Sequence, residues 1–208
     1  MDAGVVPAAQ GPAGEFYFSA NQHLSFAMTF TPTGLEGSYV IGLTPHRDER
    51  GWFARFYCKS EFAAIGHTKE WVQMNHSFTS EKGAIRGLHY QRPPFREIKL
   101  VRCIAGSVYD VIIDLRKGSA TFLQSFGVEL SAENNKMLYF AEGFAHGFQV
   151  LGENAELIYL HSEYYTPAAE GGLRYNDPEL RIAWPLPATV VSERDASHPF
   201  LTDQFKGI

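Results

Sequence analysis

The chain has 208 residues, 45% of them hydrophobic, enough to bury one sizeable core in a single domain. Its formal net charge of −5 excludes the broad basic surface of a general nucleic-acid binder, yet leaves room for one anionic ligand held by local arginines. Aromatic residues make up 14% of the chain and glycines number 19, a composition that favours sheets joined by turns.

Residues 1–14 are rich in Ala, Gly and Pro and are expected as a disordered tail. Phe16, Tyr17, Phe18 and Phe26 could add a strand or pack on a partner subunit, so 1–37 is set apart as an N-terminal extension. No basic region followed by an apolar run opens the sequence, and no apolar stretch is long enough to span a bilayer. A cytoplasmic protein without membrane attachment is expected. Cys58 and Cys103 lack metal-ligand spacing and are expected as reduced, free thiols.

From Tyr39 the punctuation becomes regular. Tyr39–Leu43 reads as a strand, 46–51 as a charged turn, and Trp52–Tyr57 as a second strand. Lys59–Ile65 is a short helix ended by Gly66. Further strands are expected at 71–78, 84–91, 98–104, 107–115, 124–130, 136–140, 146–151 and 156–161. Ala105-Gly106 reads as a hairpin turn between two of them. Beyond Tyr165 the chain is proline-rich and irregular, with one short helix at most. Many strands joined by brief turns predict an all-β barrel or sandwich over 38–208.

The chemistry concentrates in Arg86-Gly87-Leu88-His89-Tyr90-Gln91 and Glu97-Ile98-Lys99. Arg86, His89 and Gln91 are expected together on the inward face of a strand, an arrangement that is costly unless it meets a ligand or water. A histidine there is otherwise a hydrogen-bonded interior group. Alternation puts Glu97 and Lys99 on one face, either as an exposed ion pair or, turned inward, as a point charge beside an oxyanion. Tyr159 is core packing unless it faces His89, and Asp195 is a turn residue unless the C-terminal segment folds back onto His89. Histidine-based metal sites in all-β barrels commonly use a His-x-His pair; here Gln91 stands where the second histidine would be, so no metal is expected.

Several longer stretches together carry a resemblance. They are Arg50-Gly51-Trp52-Phe53, Gln73-Met74-Asn75-His76-Ser77, 86–91, Lys99-Leu100-Val101-Arg102-Cys103, 142–148, Tyr164-Tyr165 and Asp177-Pro178. In this order they resemble the dTDP-4-dehydrorhamnose 3,5-epimerase family, a non-metal branch of the cupins. The resemblance implies a cupin jelly roll, most simply a homodimer in which N-terminal strands extend the partner's sheet. It implies epimerisation of a nucleotide-linked 4-keto-6-deoxy sugar without cofactor. By position it makes His89 the general base, Tyr159 the general acid on the other face of the sugar, Lys99 the cation beside the enolate oxygen and Asp195 the partner of the base. It places Arg50, Arg55, Gln73, Asn75, Arg86, His146, Glu170 and Arg194 among the substrate contacts. Arg55 stands where the family commonly has Glu, Arg194 where it often has Lys, and Ala120 and Ala141 replace usual prolines. Two other readings are a metal-dependent cupin enzyme and a catalytically silent sugar-nucleotide binding protein.

These residue types suit the reaction. A proton beside a ketone is weakly acidic, so its removal needs a base titrating near neutrality together with stabilisation of the enolate. Histidine suits the base, and a carboxylate behind it fixes its tautomer.

Overall fold

The computed structural model describes residues 27–208 and, ahead of them, two two-residue strands, β1 (Ala9–Gln10) and β2 (Phe16–Tyr17). Apart from those two strands, the expected tail over 1–14, together with Phe18 and Phe26, lies outside the described residues. The remaining strands are β3 (Thr29–Pro32), β4 (Ser38–Gly42), β5 (His46–Asp48), β6 (Gly51–Phe53), β7 (Gln73–Thr79), β8 (Ile85–Gln91) and β9 (Lys99–Ala105). They continue as β10 (Ser107–Asp114), β11 (Ser125–Ser131), β12 (Lys136–Phe140), β13 (Phe144–Val150), β14 (Ala155–His161) and β15 (Glu170–Gly172). Two short helices, α1 (Lys59–Ala63) and α2 (Glu193–Ser197), complete the framework.

Two antiparallel sheets face each other. The larger runs β1-β2-β3-β4-β12-β9-β14-β7 and the smaller β11-β10-β13-β8-β15, while β5 and β6 form a separate hairpin. Between the sheets Val101, Leu138, Phe140 and Leu157 from the larger meet Val108, Ile112, Phe148 and Val150 from the smaller. This is the expected jelly roll. The larger sheet is covered on its other face too: Leu100, Met137, Tyr139 and Leu160 pack with Phe30 and with Phe62 of α1. A strand buried on both faces has no polar side to show, which is why Met137–Phe140 is an unbroken apolar run. The irregular C-terminal segment closes the outer face of the smaller sheet, where Trp184, Leu201 and Phe205 pack against Leu88, Ile113 and Leu115.

Two expectations are corrected. Ala105-Gly106 does not close a hairpin: β9 pairs with β12 and β14, whereas β10 pairs with β11 and β13. The chain crosses from one sheet to the other there, and Gly106, at φ +66°, supplies the left-handed residue that the crossing needs. The expected strand over 52–57 ends at Phe53, and the charged turn over 46–51 contributes the strand that pairs with it. β3 also pairs with β4, so the larger sheet takes in residues ahead of 38.

Candidate active site

A cavity of about 620 Å³ opens between the sheets, lined from the smaller sheet by Arg86, His89 and His146 and from the larger by Asn75, Lys99 and Tyr159. An adjoining pocket of about 190 Å³ shares Asn75, His89 and Lys99 and adds Gln73 and Glu170.

The local shape of β8 brings Arg86 and His89 together. They are three residues apart, so strict alternation would put them on opposite faces, contrary to the regular inward row expected from the sequence. His89 pairs with His146 and Arg86 with Phe148, so two residues of β8, Gly87 and Leu88, stand against Gly147 alone. This bulge returns both side chains to the cavity. It requires glycine: Gly87 has φ +104°, and a Cβ there would lie 2.6 Å from Gly147 Cα. Gln91 lines the side pocket, but its amide is engaged: Nε2 donates to the carbonyls of Phe95 and Tyr164, and Oε1 accepts from the Thr166 N–H.

α2 carries Asp195 to the same place. The helix is capped by Ser192, whose hydroxyl accepts from the Asp195 N–H. Asp195 is buried; its Oδ1 lies 2.8 Å from His89 Nε2, and its Oδ2 accepts from the Gly87 N–H at 3.0 Å. Burial opposes its ionisation, but the bonds from His89 and Gly87 outweigh burial and hold the carboxyl below the usual range. Arg194 Nη2 also lies 3.1 Å from His89 Nε2. A carboxylate only accepts, so the shorter contact assigns the ring proton to Nε2 and leaves the lone pair on Nδ1. Arg194 reaches Glu170 at 3.2 Å, and Tyr165 donates its phenol to the same carboxylate at 2.9 Å.

Tyr159 enters from β14, on the opposite sheet. Its hydroxyl shares a hydrogen bond with Ser77 on β7 at 2.9 Å, and burial pushes its pKa well above the ordinary phenol value, so its proton is in place at neutral pH. His146 is held by Asp110, whose carboxylate oxygens lie 2.9 and 3.0 Å from Nε2, and its ring stacks on Phe140. Lys99 is turned inward, 8% exposed, with Nζ 2.9 Å from Glu97 Oε1.

Arg50 and Arg55 are not brought into the cavity. Arg50 projects from the β5–β6 hairpin and pairs with Asp48; Arg55 pairs with Glu61 on α1 at 3.0 Å, and Glu61 in turn accepts from the Met28 N–H. Asp110 and His161 escaped the sequence reading. His161 was legible by alternation, being two residues beyond Tyr159, whereas Asp110 becomes visible only through the register of β10 against β13. Among the described residues one group could hold a metal ion, His89, Asp195 and His198, and the Arg194 guanidinium beside His89 opposes a cation there.

Fold and cavity define a jelly-roll enzyme of the cupin type with its polar site between the sheets. The chain belongs to the dTDP-4-dehydrorhamnose 3,5-epimerase family, whose model matches residues 32–203. It is 48% identical over 158 residues to the dTDP-4-dehydrorhamnose 3,5-epimerase of Salmonella typhimurium, covering 74% of this chain and 85% of that protein. The crystal structure of the Bacillus anthracis enzyme with TDP and PPi bound matches with a TM-score of 0.81 at 39% identity, over 84% of this chain and all of that one. A Legionella pneumophila enzyme in complex with dTDP-4-keto-L-rhamnose matches with a TM-score of 0.79 at 39% identity, over 83% of this chain and 92% of that one.

Proposed function

We propose that this chain epimerises a dTDP-linked 4-keto-6-deoxy sugar at carbon 3, carbon 5 or both. The observation that carries the reading is the opposition of His89, backed by Asp195 on one side of the cavity, to the half-buried phenol of Tyr159 on the other sheet. His89 Nδ1 takes the proton beside the ketone. The ketone oxygen, becoming an enolate, is stabilised by Lys99, and Tyr159 returns a proton to the opposite face. Asp195 holds the imidazole in the tautomer that this requires. Arg86 and Arg194 supply positive charge for the diphosphate, with Gln73, Asn75, His146 and Glu170 completing the contacts. Family membership favours this over a metal-dependent cupin enzyme or a silent binding protein. Cys58 and Cys103 are both free, which supports a reducing compartment such as the cytoplasm. Among the described residues no helix is long and apolar enough to cross a membrane.

The test is incubation with dTDP-4-keto-6-deoxyglucose in deuterated water. Deuterium is expected at each carbon whose proton is exchanged, and His89→Asn should abolish its incorporation while dTDP binding persists. Near-normal exchange by a folded His89→Asn protein would remove His89 as the base; no exchange by the wild type would sink the function.

A further inference from the structure

Five side chains beside the cavity form one unbroken hydrogen-bond chain across three adjacent strands. Lys99 on β9 pairs with His161 on β14, and His161 pairs with Gln73 on β7, so the three residues lie in one row. The row begins at a donor whose direction is fixed. The backbone N–H of Tyr165 can only donate, and it donates to Gln73 Oε1 at 3.1 Å. Gln73 must then present Nε2 to its other neighbour, and it donates to Asn75 Oδ1 at 3.2 Å. Asn75 therefore turns Nδ2 towards His161 Nε2 at 3.3 Å, which must accept. The remaining nitrogen of a neutral His161, Nδ1, carries the proton and donates to Glu97 Oε2 at 2.7 Å. The second oxygen of Glu97 receives Lys99 Nζ at 2.9 Å. Burial works against the Glu97 charge, but the bonds from His161 and Lys99 outweigh burial and keep the carboxyl below its ordinary range.

Every acceptor atom in this chain has an internal partner. Gln73 Oε1, Asn75 Oδ1, His161 Nε2 and both oxygens of Glu97 each have a partner, and Glu170 nearby is taken by Tyr165 and Arg194. The groups of Gln73, Asn75 and Lys99 left with N–H bonds to give, all lining the side pocket, are their amide and ammonium nitrogens. We propose that Glu97 and His161 are positioning residues that turn Gln73, Asn75 and Lys99 into one continuous donor surface, suited to an oxygen that gains negative charge as the substrate ketone becomes an enolate. The inference rests on the proposed function and adds to it what fixes the polarity of the site. Glu97 holds the ammonium, and His161, accepting from Asn75 and donating to Glu97, holds the amide direction that the Tyr165 N–H begins.

Two variants of His161 separate positioning from packing. Glutamine can donate through Nε2 to Glu97 and accept through Oε1 from Asn75, whereas leucine can do neither. His161→Leu and Glu97→Gln should each lower kcat by about 10-fold or more, with KM and kcat of His161→Gln within about 3-fold of the wild type. An unchanged kcat in Glu97→Gln, or a His161→Gln enzyme as slow as His161→Leu, overturns the proposal. A reading independent of turnover comes from imidazole nitrogen NMR of the ligand-free protein, with His161 assigned by its absence from His161→Gln. A ring with its proton on Nδ1 and a bare Nε2 is expected; a proton on Nε2 overturns the proposal whether or not the enzyme turns over. A wild type that fails to epimerise, with the tautomer as expected, counts instead against the proposed function.

Discussion

In the proposed reaction His89 and Tyr159 move different protons. Both are half-buried, His89 tied to Asp195 and Tyr159 to Ser77. Loss of the phenol should therefore uncouple the two halves of the proposed reaction. Tyr159→Phe keeps the ring against His146 and His161 and removes only the oxygen. His89 can still remove a substrate proton and return it, so deuterium exchange should partly persist while formation of the inverted sugar falls by about 100-fold or more. Product analysis beside isotope exchange reads both. Equal and small effects would reduce Tyr159 to a packing residue. Cys103 takes no part in this chemistry: burial pushes its thiol up to about 11, leaving it inert at neutral pH.

At the level of elements, the bulge in β8 is where local backbone and chemistry meet. A side chain at Gly87 would face both a positive φ and the backbone of β13, and the Gly87 N–H is one of the donors that hold Asp195. Gly87→Ala should lower stability by about 2 kcal/mol or more and depress activity beyond that loss, because it displaces His89 and Asp195 together. Thermal melts and kcat measured on the same preparation check both effects. The bulge also marks where reading by alternation stops. The sequence placed His89, Lys99 and Tyr159 on strands and turned His89 inward, but left the faces of Lys99 and Tyr159 open, since a face is decided by what packs on it. Glu97 and Lys99 could equally have been a solvent-facing pair; the opposing sheet makes them interior. The turn chemistry of Ala105-Gly106 is the same for a hairpin as for a crossing between sheets, because φ at Gly106 is local while strand pairing is not. Arg50 and Arg55 were assigned by motif position alone, with no periodicity behind them, and within this chain both are engaged by carboxylates away from the cavity.

On the scale of the whole molecule, the larger sheet ends in β7, an edge unpaired among the described residues, whose outer side carries Met74 and Phe78, 66% and 54% exposed. The β5–β6 hairpin adds Trp52 and Phe53, also exposed. Large apolar side chains along an open edge invite association, and we propose that the functional unit is a homodimer that covers this edge, the strands β1–β3 of the extension being paired into this chain's own sheet rather than the partner's. Analytical ultracentrifugation should find a dimer, and the double substitution Met74→Glu, Phe78→Glu should shift it towards monomer. A wild-type monomer at micromolar concentration would refute the assembly.

The two reacting groups of the proposed mechanism are mounted on separate sheets, and no element carries both. What sets their spacing is the apolar layer between the sheets, Val101, Leu138 and Phe140 on one side and Val108, Ile112 and Phe148 on the other. The sandwich is thus a calliper, with His89 and Tyr159 as its jaws and the core as its stop. Protein interiors yield little to compression, so the gap is held to a fixed gauge. The ring that such an enzyme can invert is measured by the core as much as by the site.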